Sequence, residues 1–474
     1  APRVAGALPD SSVVFEIKGT ALAAQFLPPE FASTVLELVG DTVTGELFNN
    51  PRPGSTGVDD TELTATLDAA RVNLAVASRV QNGVLKIGAT PVVVRVRPTA
   101  TMIDRYVGTK LPPGAKLAFS DAEPAFTLNA SEVALPLDAW FVAPGAQPAT
   151  LADVLRRAAA KVKLYVPALS YTQPALVGAG QAIPVALEQL VVEAQLTPKQ
   201  ATTVDVRGKI SGAKAGGIAL HASAADIGAF LEMKAAEPLP ALTLTGDITG
   251  LPTALVDALA AQDGLLVDVL GTEVDVKLAG SFPSVPGRPL TADLKSAQAS
   301  LKLVAQFDGA TIVAKDAQGL DASVPLSPLF SERIVGKLVP LLVHATKPAG
   351  AKPVALSVSK FSLPLDGDLS KLNGTVTLDL GEVGYSLLPG FESALALAKL
   401  SDKAVASTTL EPLVIPIVNG VAGYDKLPVS IDGTQYFFTG TYDLAKSEMR
   451  FATELPLTLL GKKFSNDLDK ARDF

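Results

Sequence analysis

The chain has 474 residues, which is too long for a single hydrophobic core and predicts two or three domains. Hydrophobic residues make up 48% and charged residues 19%, a balance that excludes intrinsic disorder and allows large buried cores. The net charge of −8 argues against nucleic acid as a partner, and the absence of cysteine excludes disulfides, zinc–thiolate sites and a thiol nucleophile.

The sequence contains two similar halves. Residues 63–76 (LTATLDAARVNLAV) match residues 290–303 (LTADLKSAQASLKL) without a gap, at an offset of 290 − 63 = 227. Further matches keep nearly the same offset, from 227 to 232: 15–19 with 246–250, 131–138 with 359–366, and 183–185 with 415–417. This constancy predicts two tandem copies of one unit, residues 1–238 and 239–474, with a boundary in the proline-containing segment 235–241.

Short amphipathic helices are expected at four places along the chain. The first carries Met102, Ile103, Tyr106 and Val107 at helical spacing. The second begins at Thr150, because Asp153 follows three residues later as in a helix-capping pair.

The other two helices are predicted in the second half. Leu251-Pro252 opens one, with Leu251, Leu255 and Leu259 one turn apart and Gly264 as its stop. Ser327-Pro328 opens the last, which carries Phe330, Ile334 and Leu338. It lies at the place in the second half that corresponds to the Met102 helix.

Most of the remaining chain shows the period-2 alternation of β-strands. Large residues alternate with small ones over 354–365 and 376–380, and segments 436–444 and 449–455 read as a hairpin around 445–448. The predicted fold is therefore mainly β with short α-helices. We expect two tandem homologous domains of curved antiparallel or mixed sheet, each capped by short amphipathic helices.

No motif for catalysis or for a cofactor stands out. The only histidines, His221 and His344, are 123 residues apart and so do not occupy equivalent places in the two halves. The glycines of 178–181 lack the strand–turn–helix context of a nucleotide loop, and the acidic cluster 59–62 lacks the spacing of a calcium loop. A turn and a solvated loop are the expected interpretations. We therefore expect a non-enzymatic protein with no cofactor, no catalytic residue and no metal site.

The remaining candidate for function is apolar surface. The strands pack either into ordinary closed cores or into a curved sheet that leaves part of its apolar face for a lipid or another apolar ligand. In the second case, helix 251–263 is expected to cover the groove or touch a membrane. The candidate ligand-facing or lid residues are Leu251, Leu255, Leu259, Val354, Leu356, Val358, Val376, Leu378 and Leu380.

Three segments, 242–250 (LTLTGDITG), 373–380 (NGTVTLDL) and 437–444 (FFTGTYDL), resemble the strand–glycine–strand units of AsmA-like and TamB-like envelope proteins. The resemblance covers about half the chain, and any glycine-punctuated sheet protein shares such motifs. It implies a curved β groove with an apolar lining that carries phospholipid between membranes. We expect the chain to depart from that pattern in its two equal halves and in the absence of an N-terminal transmembrane anchor from the sequence that begins at Ala1.

These observations predict an exported protein of a bacterial periplasm, outer envelope or cell surface that binds or carries lipid or another apolar ligand. No apolar run is long enough for a transmembrane helix. The first residues, Ala1-Pro2-Arg3, lack a methionine, which indicates that a signal peptide or an expression tag was removed; together with the absence of cysteine and the Thr/Ser/Asn-rich loops, this favours an exported protein. The alternative is a self-associating structural subunit of the envelope, such as a surface-layer or filament protein, in which two β domains offer similar contact surfaces.

Overall fold

The computed structural model describes most of the chain in ranges separated by gaps. Within them, residues up to Leu251 form one compact unit and residues from Pro252 onward form another. The predicted boundary after residue 238 lies in a gap and stays a prediction. The described residues are 11–18, 36–51, 60–106, 108, 111, 115–137, 149–173, 183–211, 215–232, 240–260, 262–284, 288–307, 310–315, 319–339, 342, 344–348, 350–386, 405–431 and 434–454.

The first unit is an antiparallel β structure, as the alternating sequence pattern predicts. Its strands are β1 Ser11–Lys18, β2 Thr42–Pro51, β3 Asp60–Ala69, β4 Val72–Gln81, β5 Val84–Ile87, β6 Val92–Val96, β7 Lys116–Phe119, β8 Phe126–Pro136, β9 Ala159–Val166, β10 Leu169–Gln173, β11 Ile183–Leu196, β12 Thr202–Ser211, β13 Ala215–Ala224 and β14 Leu242–Pro252.

Each strand of the first unit pairs mainly with its neighbours in sequence. β1 to β4 follow one another across the sheet, and β4 then pairs with both β5 and β6, which share the next edge and pair with β8. From β8 the sheet continues through β9, β11, β12 and β13 to β14. β10 lies beside the first half of β11 and pairs with β7.

The second unit is also antiparallel and has a similar connectivity. Its strands are β15 Glu273–Phe282, β16 Leu290–Lys295, β17 Ser300–Phe307, β18 Thr311–Val313, β19 Gly319–Val324, β20 Val354–Pro364, β21 Asn373–Asp379, β22 Gly381–Ser386, β23 Val405–Leu410, β24 Leu413–Val418, β25 Val421–Ile431, β26 Thr434–Asp443 and β27 Glu448–Glu454.

In this second sheet β15, β16 and β17 are consecutive neighbours, and β17 pairs with both β18 and β19. Both of these strands pair with β20, and the sheet continues through β21, β24, β25 and β26 to β27. β22 and β23 form a separate two-stranded ribbon. The predicted hairpin after residue 436 is confirmed by β26 and β27.

The two units agree in register as well as in strand order. The partners in β3–β4 and in β16–β17 coincide at an offset of 227, and those in β6–β8 and β19–β20 coincide at an offset of 228. Each unit also has a β-bulge at the equivalent place, with Glu132 at φ 50° and Lys360 at φ 49°. This agreement in register and bulge position is what two copies of one structural unit are expected to show. The tandem duplication itself stays a prediction.

The helices are few and short, as predicted. Those with both ends in the described part of the chain are α1 Ala100–Tyr106, α2 Leu151–Arg157, α3 Ile227–Glu232, α4 Thr253–Leu259, α5 Leu265–Leu270, α6 Pro328–Phe330, the π-helical turn Ser331–Val335 and α7 Gly336–Leu338, with a 3₁₀ turn at Leu369–Lys371.

The sequence signals for the helix starts have physical counterparts. The Thr150 side chain accepts a hydrogen bond from the Asp153 backbone N–H, and the Asp153 carboxylate accepts one from the Thr150 N–H, which is a complete capping box. The last helix starts at Ser327-Pro328 as predicted, and the Ser327 side chain caps α6 by accepting from the Phe330 N–H. The prediction of a helix starting at Leu251-Pro252 is wrong, because both residues extend β14 and α4 begins at Thr253.

Small hydrophobic clusters lie at equivalent places in the two units. Ile87, Val92 and Val133 are buried together in the first unit. In the second, Ala314 and Phe361 stand at the positions of Ile87 and Val133 and pack with Ala305. These clusters hold the short strands β5, β6, β18 and β19 against β8 and β20.

Candidate functional site

One face of the first sheet carries an uninterrupted row of large apolar side chains on five adjacent strands, β8, β9, β11, β12 and β13. Each member lies directly opposite the next, and opposed residues in an antiparallel sheet share a face. We call this row the apolar row of the first unit; its members are Leu128, Leu164, Val192, Val206 and Leu220.

The apolar row is only half covered by the protein. All five side chains are intermediate in exposure, and so are the smaller residues of the next row, from Ala130 and Val162 to Leu244. At the far end, the Leu220 side chain lies over Gly246, where an added Cβ would come within 2.4 Å of Leu220 Cδ2. A glycine at this place therefore lets Leu220 lie flat along the sheet and extends the apolar surface to β14.

The helices of the first unit are held to each other by charge. The Arg156 guanidinium on α2 donates to the Asp226 carboxylate before α3 at 3.0 Å and to Glu232 at the end of α3 at 2.6 Å. The hydrogen bond from Arg156 holds the pKa of Asp226 below its usual value. Gly228 lies against this guanidinium, since an added Cβ would be 2.7 Å from Arg156 Nε.

The equivalent face of the second unit is closed over β21 and β24. Val376 and Leu378 on β21, with Leu413 and Ile415 opposite them on β24, are at most 4% exposed. On the same face, Tyr424 of β25 donates a hydrogen bond from its hydroxyl to the Leu338 carbonyl. This bond ties the helical segment 328–338 to the sheet. Side chains of that segment and of the turn after it are buried as well: Phe330, Val335, Val339 and Leu342.

Burial also explains the electrostatics of this contact. It raises the pKa of Tyr424 well above its usual value, because the charged phenolate would be out of water. The hydroxyl therefore stays protonated and remains a donor. Segment 328–338 is a fixed part of the second core in this structure.

Most of the predicted ligand-facing residues lie in that closed core. Val354, Val376, Leu378 and Leu380 are between 0% and 4% exposed, so the protein's own side chains occupy the space beside them. Leu356 and Val358 share their face and are half-buried. A ligand could reach the four buried residues only if segment 328–338, which covers this face, moved away from the sheet. Their predicted role remains a prediction.

The three predicted lid residues do not lie on one helix. Leu251 is a half-buried residue of β14, and Leu255 is a half-buried residue of α4. Leu259 is the last residue of α4, and its side chain is outside the described part of the structure. α4 is instead attached to α5 through Asp257, a fully buried carboxylate that accepts hydrogen bonds of 2.6 Å from the Gly264 and Leu266 N–H groups.

The opposite face of the first sheet is polar. Lys163 forms an ion pair of 2.6 Å with Glu193 and lies 5.2 Å from the centre of the Tyr165 ring. The bond to Glu193 raises the pKa of Lys163, so the lysine is cationic. Lys163 and Glu193 border an open cavity of about 420 Å³. A similar cavity of about 540 Å³ in the second unit is lined by Asp293, Lys302 and Asp321.

The described linings of the two polar cavities carry Ser, Thr, Lys and acidic side chains and no histidine. His221 lies in β13, and its Nδ1 is 3.0 Å from the Asp205 carboxylate at the exposed surface. His344 lies in an exposed turn. Within the described ranges, no three His, Asp or Glu side chains are grouped to hold a metal ion. The cluster 59–62 and the glycines of 178–181 fall wholly or partly outside those ranges.

The structure defines an antiparallel β protein with one half-open apolar sheet face. Comparison with protein-family models, curated proteins and solved structures finds no match. The AsmA-like and TamB-like resemblance is therefore still a prediction. In the part of the chain that the structure describes, none of the helices has the length and hydropathy needed to cross a membrane.

Sequence reasoning missed the apolar row although a signal for it existed. Leu356 was a predicted ligand-facing residue, and at the repeat offset of 228 its counterpart is Leu128. The strand opposite Leu356 carries Leu378, and the strand opposite Leu128 carries Leu164. Transferring the candidates from one half to the other would have identified Leu128, whereas Leu378 at the same offset falls on Thr150, so Leu164 is found only from the strand pairing.

Proposed function

We propose that the protein binds an apolar chain, such as the acyl chain of a lipid, along the apolar row of the first unit. The observation that carries this proposal is the half exposure of five large apolar side chains on adjacent strands. A soluble domain seldom leaves a continuous apolar surface open unless that surface has an occupant. The weak resemblance to lipid-carrying envelope proteins points in the same direction.

The dimensions of the row suit a chain-like ligand. Adjacent strands are about 4.8 Å apart, so five strands span roughly 19 Å, a length comparable to an extended acyl chain. Each Å² of apolar surface removed from water contributes about 25 cal/mol, which favours a long, thin ligand over a small one. The polar side chains on the reverse of the same strands, such as Lys163 and Glu193, keep that surface in water.

The composition supports a non-enzymatic role in a bacterial envelope. The chain has no cysteine and two histidines, and its potential binding surface is made of Leu and Val side chains without a nucleophile or a general base among them. Lipid carriage needs only such a surface, since no bond is made or broken. The exported location is part of this proposal.

Native mass spectrometry of the gently purified protein tests the proposal. We expect lipid adducts on the wild-type chain and their loss in Leu164→Asn, which places an amide in the middle of the row. Glu193→Gln is the matched control, because it lies on the adjacent strand β11 and faces the opposite side of the sheet.

Thermal unfolding monitored by circular dichroism establishes that both variants are folded. Lipid-free wild-type protein would contradict the proposal. Equal lipid retention in Leu164→Asn and Glu193→Gln would contradict it as well, because the ligand would then lie elsewhere.

A further inference from the structure

A second row of large apolar side chains lies beside the apolar row, on the same face of the first sheet. Residues two positions apart along a strand share a face, and Val166, Leu190 and Ile218 are each two positions from a member of the apolar row. Val166 lies opposite Leu190, and Ile218 lies opposite Ile248 of β14. We call these four residues the second row; all of them are half-buried.

A glycine lies next to a leucine in each of the two rows. In the second row Gly208 lies opposite Ile218, and a Cβ added to Gly208 would come within 3.1 Å of Leu190 Cδ1. In the apolar row a Cβ added to Gly246 would come within 2.4 Å of Leu220 Cδ2. The two leucine side chains therefore extend over the glycines, and both rows stay apolar across the sheet.

The burial pattern of β12 shows how wide the open part of this face is. The residues of β12 on this face are, in order, Thr202, Val204, Val206, Gly208 and Ile210. The first is 6% exposed and the last is 1% exposed, whereas the three between them are half-buried. These three positions span about 13 Å at 3.3 Å per residue. Carbon atoms in contact lie about 4 Å apart, so a strip of this width holds two acyl chains side by side.

We propose that the apolar row and the second row bind the two acyl chains of one lipid, so that the ligand is a two-chain lipid. This inference rests on the proposed function, because it assumes that the apolar row binds an acyl chain. Both chains cross the strands, since both rows do. The buried residues at the two ends of the strip, Thr202 and Ile210, limit the site to this width.

The covalent link between two chains favours a two-chain lipid over a lipid with one chain. Once the first chain lies on the apolar row, the second is held close to the second row and its binding becomes intramolecular. A lipid with one chain removes apolar surface from water on one row only. Linkage of this kind raises affinity by a factor of about 10²–10⁴. We expect a difference of at least about 100-fold between the two classes of lipid.

Native mass spectrometry with two defined probes tests the inference. The purified full chain is exchanged into detergent that contains either dipalmitoyl phosphatidylcholine or palmitoyl lysophosphatidylcholine, which share their headgroup and chain type. We expect one molecule of the two-chain probe to bind per chain, or two molecules of the single-chain probe. The concentration needed for half occupancy should be about 100-fold lower for the two-chain probe.

Variants of the second row show where the second chain lies. Ile218→Asn should leave one single-chain molecule bound and remove most of the preference for the two-chain probe. Ile248→Asn repeats the test on the neighbouring strand. Ala219→Asn is the matched control, because Ala219 is exposed and faces the opposite side of the same strand. It should bind both probes like the wild type, and circular dichroism establishes that all three variants are folded.

Two results for the wild type would overturn the inference and leave the proposed function standing. They are equal affinity for the two probes and saturation by one single-chain molecule, because a single chain on the apolar row would then be the whole ligand. A preference for the two-chain probe that persists in Ile218→Asn and Ile248→Asn also overturns the inference, since the second chain would lie elsewhere. A wild type that binds neither probe contradicts the proposed function as well.

Discussion

Equivalent faces of the two sheets of this protein have different surroundings. In the first unit Leu128 and Leu164 are paired and half-buried, and in the second Leu356 and Leu378 occupy the equivalent paired positions. Leu378 is fully buried there. The difference arises from segment 328–338 and from Tyr424, which close the second face. The same pattern of apolar residues on paired strands can therefore form a buried core or an exposed surface, depending on whether another segment packs against it.

The largest expected effect tests this comparison directly. Leu378→Ala should lower the free energy of unfolding by about 3 kcal/mol, because it removes a buried side chain and leaves a cavity. Leu164→Ala, the matched change in the first unit, should cost about 1 kcal/mol, because a half-exposed side chain loses less burial. The two free energies are measured by urea unfolding, with hydrogen exchange of the strand that carries each change as the probe.

Equal costs at the two positions would contradict the distinction between an open and a closed face. Hydrogen exchange is needed because a chain with two compact units is not expected to unfold in a single step. Each change should lower protection chiefly in its own unit.

A medium effect is expected from loosening the cover of the second unit. Tyr424→Phe removes the hydroxyl that donates to the Leu338 carbonyl, and we expect a loss of about 1 kcal/mol. Faster hydrogen exchange in 328–338 is the specific readout. Tyr442→Phe on the neighbouring strand β26 is the control and should leave exchange in that segment unchanged. If both variants behave alike, the Tyr424 bond does not hold the cover in place.

The smallest effect concerns acid and the helices of the first unit. The pKa of Asp226 is lowered in the folded protein by the hydrogen bond from Arg156, so its contribution to stability is present above its unfolded value of 3.8 and is lost as the pH falls through the folded value. The protection of the Gly228 and Ala229 amides, measured relative to their intrinsic exchange rates at each pH, should therefore fall at acid pH. Asp226→Asn removes the titrating carboxylate and should remove this pH dependence.

The titration of Asp226 also tests whether helices α2 and α3 cover the apolar row of the first unit. If α2 and α3 do not cover the apolar row, loosening their contact at acid pH leaves lipid retention unchanged. A change in lipid retention that follows the titration of Asp226 would show that these helices take part in binding.

The local elements could be predicted because each depends on neighbouring residues. The capping box of Thr150 and Asp153, the Ser327 cap and the hairpin after residue 436 are all encoded within a few positions and are confirmed. The start of α4 was wrong by two residues. Leu251 and Pro252 have helical spacing with Leu255, yet the chain extends β14 through them before the helix begins.

The candidate site could be predicted only in part. Alternation identified Leu356 and Leu378 as apolar and on one face, and the structure places them directly opposite each other. It did not separate a core from a binding surface, because alternation is the same in both. The apolar row of the first unit was absent from the predicted residues although the repeat offset connects Leu356 with Leu128.

The sequence by itself determined the mainly β fold, the positions of several helix caps and a hairpin, and the residues that share a sheet face. These follow from backbone periodicity and short-range hydrogen bonds. Only the tertiary structure decided which face is closed, because the cover of the second unit comes from the loop between β19 and β20, and its tie, Tyr424, lies 86 residues from its partner Leu338. Burial of this kind depends on contacts between segments that are distant in sequence, and the alternation of residues within a strand does not indicate such contacts.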